Sequence, residues 1–383
     1  MSHRCVSILA TGSSSPPPAM SSIITGKAMS ATNSDRMSGA FAAGSGMRIG
    51  TRDLDRGTFV IAEVGNNHEG DFGLAREMVH LAADAGVDAV KFQTFRTAQF
   101  IAPADAARYQ RMQGFELTYD QFAALGEETR KAGMAFISTP LDMESAVFLN
   151  GQVDAFKIAS SDNNFWPLID FVAGTAKPAI ISTGLATLDE VQRAVSRIQA
   201  RWAADGVAPG LGVLHCVSAY PTPVEAANLR AVQTLAAALP DCLAGYSDHT
   251  QGNEAAVLSV ALGARIVEKH FTIAHDHSDF RDHQLSADPA EMKDLVTRIR
   301  QAETLLGSGS VAMADIERDT APLIRRSIAA RHPMAAGQTV TDSDIIWVRP
   351  GDGIAPGQEG LVIGRTLARA VAQGDRFTPD LLV

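Results

Sequence analysis

Short apolar runs alternate with amphipathic stretches of helical length from about Gly57 onward. Each apolar run is continuous, which is typical of a strand that is covered on both faces of its sheet. The runs lie at residues 59–64, 89–93, 135–138, 155–158, 179–182, 212–216, 243–246 and 265–268. Helical periodicity is clearest at residues 74–85, 119–132, 188–202, 253–262 and 289–306. Eight strand–helix units within about 250 residues predict a (β/α)8 TIM barrel.

A doubly wound open sheet is the alternative interpretation of the same pattern. Its dinucleotide-binding form carries a G-x-G-x-x-G turn after the first strand, and no such turn follows residues 59–64. In a barrel, the active site is built at the carboxyl ends of the strands. Polar side chains lie at the ends of all eight predicted strands, so the pattern favours the barrel and places a candidate site at that end.

Two segments at the ends of the chain break this alternation. Residues 1–46 are rich in Ser, Gly, Pro and Ala and lack apolar periodicity, so we expect a disordered tail or a misassigned start of the chain. The barrel domain then covers residues 47–306. Residues 307–324 are interpreted as a linker, and residues 325–383, punctuated by glycines, as a small domain of short strands and turns.

Composition narrows the function classes. The net charge of −10 argues against a general attraction to nucleic acid, so an anionic substrate would need a local cluster of cations. No apolar run reaches the roughly 18 residues needed to span a bilayer, and we expect a cytoplasmic protein without membrane partners. Three cysteines without C-x-x-C spacing argue against a disulfide scaffold or a zinc ribbon.

Two lysines and two histidines carry the candidate chemistry. Lys91 and Lys157 lie within apolar strands, where a single lysine would extend its charge to the rim. Two of them, near several hydroxyl groups, predict a pocket for phosphate or carboxylate. His249 and His270 end neighbouring strands and predict an open divalent metal site, although a lone buried histidine more often packs in a core. The histidines of residues 274–283 predict a mobile polar loop over the barrel mouth, and no second metal.

Eight ordered motifs then resemble one family. FVIAEVGNNHEG, VKFQT, FISTPLD, FKIASSDNNFWPLI, ISTG, LHC followed by YPTP, GYSDHT and EKHFT are similar to the sialic acid synthases, which include N-acetylneuraminate, legionaminate and pseudaminate synthases and SpsE-type proteins. The resemblance implies condensation of phosphoenolpyruvate with an N-acylated aminohexose to a nine-carbon 2-keto-3-deoxy sugar acid, with release of phosphate. It also implies a divalent metal, Mn or Mg.

The resemblance assigns roles to individual residues. It implies that phosphoenolpyruvate is held by Lys91, Thr139, Lys157, Ser160 and Ser182. It implies metal ligation by His249 and His270, catalytic roles for Glu63, Glu268 and Tyr220, and a place for Gln93 beside the sugar. Asp162 and Ser218 stand where relatives carry Glu and Asn in contact with the sugar. These departures leave the aldose open.

The small C-terminal domain resembles the SAF, or antifreeze-like, β-clip domain of these synthases. There the resemblance implies a domain-swapped homodimer in which Arg349 reaches the sugar site of the partner. Two alternatives remain at this stage. One is another phosphoenolpyruvate–aldose condensing enzyme, which would need further cations for a second phosphate. The other is a catalytically silent sugar-binding barrel.

Overall fold

Eight parallel strands close into a barrel in the computed structural model, which describes residues 46–383. The strands are β1 (Phe59–Gly65), β2 (Ala89–Thr94), β3 (Ala135–Pro140), β4 (Ala155–Ile158), β5 (Ala179–Ser182), β6 (Leu211–Cys216), β7 (Leu243–Asp248) and β8 (Ile266–His270). β8 pairs with both β7 and β1, which closes the barrel. The predicted TIM barrel is confirmed. β3, β7 and β8 each end two residues later than the apolar pattern indicates.

One main helix follows each strand. These helices are α1 (Phe72–Ala85), α2 (Tyr119–Lys131), α3 (Met143–Asn150), α4 (Trp166–Gly174), α5 (Leu188–Asp205), α6 (Ala231–Ala238), α7 (Glu254–Ala261) and α8 (Pro289–Leu306). Capping boxes at Thr118, Thr187 and Asp288 fix where α2, α5 and α8 begin. Shorter helices lie in two loops at the carboxyl end of the barrel: Thr97–Phe100 and Ala106–Phe115 before α2, and Asp282–Leu285 before α8.

Alternation along the strands separates two apolar clusters. Outward side chains such as Val60 and Val90 pack against the helices. Inward side chains at the amino ends of the strands, including Ile61 and Ile266, form the floor of the barrel lumen. Gly245 makes room in this floor, because a Cβ there would lie 2.4 Å from the Ile266 carbonyl oxygen. Polar residues therefore occupy the inward positions only above the floor.

A short hairpin closes the amino end of the barrel. It pairs Arg48–Ile49 with Arg52–Asp53 and buries Met47, Ile49 and Leu54 against the lumen floor. The predicted tail lies outside the described residues, apart from Gly46. No helix in residues 46–383 combines the length and the apolar character that a membrane span requires.

The C-terminal residues build a second, smaller core. β9 (Ser327–Ala330) and β10 (Ile345–Val348) pair antiparallel, and isolated bridges join the turns around them. Ile328, Ile345 and Phe377 are fully buried in an apolar cluster that is separate from those of the barrel. The predicted domain of short strands and turns is confirmed in this part of the chain.

Candidate active site

A cavity of about 750 Å³ opens at the carboxyl ends of the barrel strands. All but two of the residues predicted for the site line it: Glu63, Lys91, Gln93, Thr139, Lys157, Ser160, Ser182, Ser218, Tyr220, His249, Glu268 and His270. They converge because each lies on an inward position at a strand end or in the loop that follows it. The structure thus places these twelve residues on one continuous surface.

Two lysines and two glutamates meet at the bottom of this cavity. Lys91 Nζ lies 2.7 Å from Glu63 Oε2 and 3.7 Å from Glu268 Oε2. Lys157 Nζ lies 3.4 Å from Glu268 Oε1. All four side chains are almost completely buried, so the attraction between them is only weakly screened by water. The four charges balance one another formally.

Burial acts differently on the two carboxyl groups. Burial raises the pKa of Glu63, and Lys91 offsets only part of that effect. Burial would also raise the pKa of Glu268, but Lys157 and Lys91 together outweigh it and lower that pKa to about 2. Two adjacent carboxyl groups with pKa values pushed apart can divide proton transfer and charge stabilisation between them. Glu63 is thus the group suited to exchange a proton, and Glu268 stays ionised.

The pKa values of the two lysines also shift in opposite directions. Burial would lower the pKa of Lys91, but Glu268 and Glu63 outweigh it and raise that pKa. Burial prevails at Lys157 and lowers its pKa, despite the nearby Glu268. Lys91 therefore provides a fixed positive charge, whereas an anion bound next to Lys157 would strengthen the charged form of that side chain.

Hydroxyl groups surround the lysines on one side of the cavity. Lys91 Nζ lies 3.4 Å from Thr139 Oγ1, and Ser160 Oγ accepts a hydrogen bond from the Gly184 amide at 3.1 Å. The buried hydroxyl oxygens of Ser182 and Ser218 find no hydrogen-bond partner within residues 46–383. Gly184 keeps this corner open, because a Cβ there would lie 2.4 Å from Ser218 Oγ. Unpartnered donors beside two ammonium groups suit a phosphate or a carboxylate.

The two predicted metal ligands lie next to each other at the ends of the neighbouring strands β7 and β8, with 5.2 Å between their ring centroids. His249 Nδ1 lies 2.8 Å from the Val217 carbonyl oxygen, which places the proton on Nδ1 and leaves the Nε2 lone pair free. His270 Nδ1 is buried and has no hydrogen-bond partner among the described residues. Burial and the neighbouring His249 lower the pKa of His270 well below its usual range. A neutral imidazole with an unpartnered nitrogen fits a metal ligand.

Cys216 lines the cavity beside His249. Its Sγ is 3.8 Å from His249 Nδ1 and accepts from Ser160 Oγ at 3.4 Å. Burial alone would raise the pKa of the thiol, but His249, Ser160 and Lys157 lower it. The same contact raises the pKa of His249 against the effect of burial. A metal would therefore compete with a proton at His249.

Tyr220 and Gln93 form the sides of the cavity above the charged floor. The Tyr220 ring lies 4.3 Å from the His249 ring, and burial raises the pKa of its phenol. Gln93 Nε2 donates to Glu63 Oε1 at 3.3 Å, and Gln93 Oε1 accepts from Asn66 Nδ2 at 2.8 Å. Tyr220 thus stays a neutral hydrogen-bonding group, and Gln93 holds the Glu63 carboxyl in place.

Asp162 and Arg349 do not line the cavity. Asp162 is half-buried in a short 3-10 turn, where its carboxylate accepts from Ser161 Oγ at 2.9 Å. Arg349 is exposed in the C-terminal domain. The cavity of one chain is therefore built without these two side chains, and their contact with a sugar stays a prediction.

The sequence analysis did not assign five charged residues that line the cavity: Asp105, Arg108, Arg111, Arg281 and Asp282. Arg108 and Arg111 lie one turn apart on the helix Ala106–Phe115, and neither forms an ion pair with a carboxylate within residues 46–383. Arg281 and Asp282 come from the loop before α8. The loop that carries Arg281 and Asp282 was predicted to lie over the barrel mouth, but the apolar pattern of the strands gave no signal for single residues in the loops.

Comparisons with known proteins match this geometry. The model of the NeuB family matches residues 78–311, and that of the SAF domain matches residues 325–383. An N,N'-diacetyllegionaminic acid synthase from Legionella pneumophila is 38% identical over 332 residues, which cover 82% of this chain and 92% of the relative. A pseudaminic acid synthase from Campylobacter jejuni is 30% identical over 345 residues, or 86% of this chain and 98% of the relative.

A solved structure supports the same grouping. The N-acetylneuraminic acid synthetase of Leptospira borgpetersenii, crystallised with citrate, superposes with a TM-score of 0.64 at 34% identity. The superposition covers 69% of this chain and 90% of that one. The family models, the two relatives and the solved structure all agree with a barrel followed by a SAF domain. The chain belongs to the NeuB family and carries a SAF domain after its barrel.

Proposed function

We propose that this protein condenses phosphoenolpyruvate with the open-chain aldehyde of an N-acylated hexosamine. The product would be a nine-carbon 2-keto-3-deoxy sugar acid, released together with phosphate. The observation that carries the proposal is the buried set of Lys91, Lys157, Glu63 and Glu268 at the bottom of the cavity. The relatives named as synthases of legionaminic and pseudaminic acid support the sugar class.

Phosphoenolpyruvate fits the side of the cavity that carries the lysines. Its phosphate and carboxylate need several donors, and Thr139, Ser160 and Ser182 supply hydroxyl groups next to Lys91 and Lys157. The hydrogen bonds and charges of the donors offset the desolvation of the anion only if the donors are held in place before it binds. The charged network and the Gly184 corner hold them in this way.

The carboxyl pair suits the charge changes of the reaction. A carbon–carbon bond forms between the methylene carbon of phosphoenolpyruvate and the aldehyde carbon, which leaves positive charge at C2. Glu268, ionised and buried, stabilises that charge. The aldehyde oxygen takes up a proton as this bond forms. Glu63, with its raised pKa, takes a proton from the water that adds at C2. Cleavage of the bond between C2 and the phosphate oxygen then releases phosphate, while the C2 hydroxyl gives up its proton and becomes the ketone.

His249 and His270 are the residues that would hold the divalent metal, Mn or Mg. When bound, the metal would polarise the aldehyde oxygen of the sugar. The Val217 carbonyl orients the His249 ring for that task, and burial keeps His270 neutral. Tyr220, packed against the His249 ring, would bound the sugar side of the same region.

Phosphate release tests this proposal directly. Purified protein is incubated with phosphoenolpyruvate and a panel of N-acylated hexosamines, with added Mn²⁺ or Mg²⁺ and with EDTA. We expect metal-dependent release with at least one sugar, and its loss in Lys157→Met. Lys177→Met is the matched control, because Lys177 donates to the Val153 carbonyl away from the cavity and should keep full activity.

Other outcomes would identify the alternatives. Release only with phosphorylated sugars that lack an N-acyl group would indicate a different phosphoenolpyruvate–aldose condensing enzyme. Sugar binding without release for any member of the panel would indicate a catalytically silent barrel. Full turnover in Lys157→Met would contradict the assigned role of that lysine.

We also infer that two copies of the chain form the working unit. Large apolar side chains of the segment between the domains are exposed in a single chain, among them Val311, Ile316 and Leu323. A partner subunit would cover such a surface, and Arg349 could then approach the partner's cavity. Light scattering tests the dimer. Mixed refolding of Lys157→Met with Arg349→Gln tests the shared site. Activity should return only if Arg349 of the first variant completes the cavity of the second.

A further inference from the structure

An ion pair is buried on the outer face of the barrel wall, between β7 and β8. Lys269 Nζ lies 2.9 Å from Asp248 Oδ2, and both side chains are essentially inaccessible to solvent. The two residues are direct partners in the parallel register of these strands. The side chains of Asp248 and Lys269 point outward. Tyr246 and Val267 lie two residues earlier on the same strands, and both pack in the cluster between strands and helices. The pair therefore lies outside the catalytic cavity.

Further hydrogen bonds extend the pair into the following loop. Asp248 Oδ1 accepts from both the amide and the hydroxyl of Thr250, each at 2.8 Å. Lys269 Nζ also donates to the Thr250 carbonyl oxygen at 2.5 Å. The carboxylate and the ammonium thus clamp the backbone on either side of His249. Thr222 adds a contact from β6's loop, where its amide donates to the His249 carbonyl oxygen at 2.8 Å.

Each member of the pair adjoins one of the two histidines. Asp248 directly precedes His249, and Lys269 directly precedes His270. Because successive side chains of a strand point to opposite faces, fixing residue 269 outward fixes His270 inward. The same alternation directs His249 toward the cavity, where the two rings lie 5.2 Å apart. The ion pair therefore connects the two backbone segments that carry His249 and His270.

Stability alone does not explain such a pair. Desolvation of two buried charges offsets most of their attraction, and well-packed apolar residues of similar size are often equally or more stabilising. What an ion pair supplies in addition is a defined distance and direction between two strands. We propose that the Asp248–Lys269 pair is a positioning device, which sets the separation and orientation of His249 and His270 for a divalent metal. This inference rests on the proposed function.

Metal affinity of the full-length protein provides the test. Mn²⁺ binding to metal-stripped protein is measured by calorimetry for the wild type and for Asp248→Leu/Lys269→Met, and urea unfolding is followed in parallel. The apolar pair removes both charges together, so it avoids leaving one of them buried and unpaired. We expect the urea midpoint to fall, because leucine leaves the Thr250 amide and hydroxyl without an acceptor. We expect the Mn²⁺ dissociation constant to rise about 10- to 100-fold, as is typical for residues that support metal ligands.

Asp88 gives a matched control at the opposite end of the barrel. It is also buried, and it holds Arg300 at 2.6 Å just before β2. Asp88→Asn should lower the urea midpoint and leave the Mn²⁺ dissociation constant unchanged. A general loss of rigidity would instead weaken metal binding in both variants, and that result would overturn the positioning role.

The outcomes separate this inference from the proposed function. Unchanged Mn²⁺ affinity in the Asp248→Leu/Lys269→Met variant, with tight binding by the wild type, would overturn the inference alone. A wild type that binds neither Mn²⁺ nor Mg²⁺ would overturn the metal part of the proposed function and the inference with it. Mn²⁺ affinity close to that of the wild type in Lys269→Arg, which keeps a positive charge opposite Asp248, would support the positioning role.

Discussion

Replacing Lys91 by methionine probes the charge network most directly. Methionine keeps much of the side-chain volume and removes the ammonium group that lies 2.7 Å from Glu63 and 3.7 Å from Glu268. The variant would leave both carboxyl groups buried, with Lys157 as the remaining partner of Glu268. The two carboxylates would then lose the cation between them, in a region almost closed to water.

The size of the effect follows from these distances. At an effective dielectric constant of about 20, unit charges at 2.7 and 3.7 Å attract with about 6 and 4.5 kcal/mol. Removing the ammonium also removes its own desolvation cost, and Glu63, whose pKa is already raised, can bind a proton. Breaking one side of a buried pair typically costs about 3–5 kcal/mol, and we expect Lys91→Met to fall in that range.

Urea unfolding measures this loss, with Lys131→Met as the control. Lys131 pairs with Glu127 on an exposed helix face, where substitution should change the free energy of unfolding by less than about 0.5 kcal/mol. Glu63→Gln should recover part of the loss in Lys91→Met. Because the freed carboxyl group binds a proton more readily in the folded state, the loss should shrink at pH 5 and grow toward pH 8. A loss below about 1 kcal/mol at neutral pH would refute the reasoning.

Three further predictions concern the floor and the mouth of the cavity. Glu268→Gln should lower the free energy of unfolding by the same amount at every pH above 4.5, and this loss should vanish as pH falls toward 2. The reason is that wild-type Glu268 has its pKa lowered to about 2. A pH-independent difference in urea unfolding would contradict this prediction. Arg108→Gln/Arg111→Gln should raise KM for phosphoenolpyruvate and flatten its salt dependence without changing kcat, whereas an unchanged salt slope would exclude electrostatic steering. Gly245→Ala should destabilise the barrel by about 1–3 kcal/mol in urea, since its Cβ meets the Ile266 carbonyl, and a neutral effect would show that the floor can adapt.

The strand ends could be predicted from the sequence because barrel geometry makes local order and spatial position agree. Parallel strands bring their carboxyl ends together, so Lys91 on β2 and Glu268 on β8 needed no contact information to be placed in one site. The continuous apolar runs did not show which side of each strand faces inward. The structure supplies that alternation, which explains why both histidines face the cavity.

The loops could not be predicted in this way. Arg108 and Arg111 reach the cavity because the helix Ala106–Phe115 folds back over the mouth, where Phe115 packs on Phe280 of another loop at 5.1 Å. That contact depends on two segments far apart in the chain, and no local periodicity reports it. The buried pair of Asp248 and Lys269 was missed for a related reason, since charged residues in a strand end were interpreted only as candidates for the lumen.

The layered lumen has a consequence for engineering the protein. A step of two residues along a strand, roughly 7 Å, separates an apolar residue such as Ile61 from a titratable one such as Glu63. The residues of the candidate site and the residues of the apolar core therefore lie at different levels of the same strands. Heat resistance could be selected by repacking the apolar floor of the lumen together with the hairpin residues Met47 and Ile49. New sugar substrates could be selected by mutating the polar level above that floor, in independent rounds of mutation.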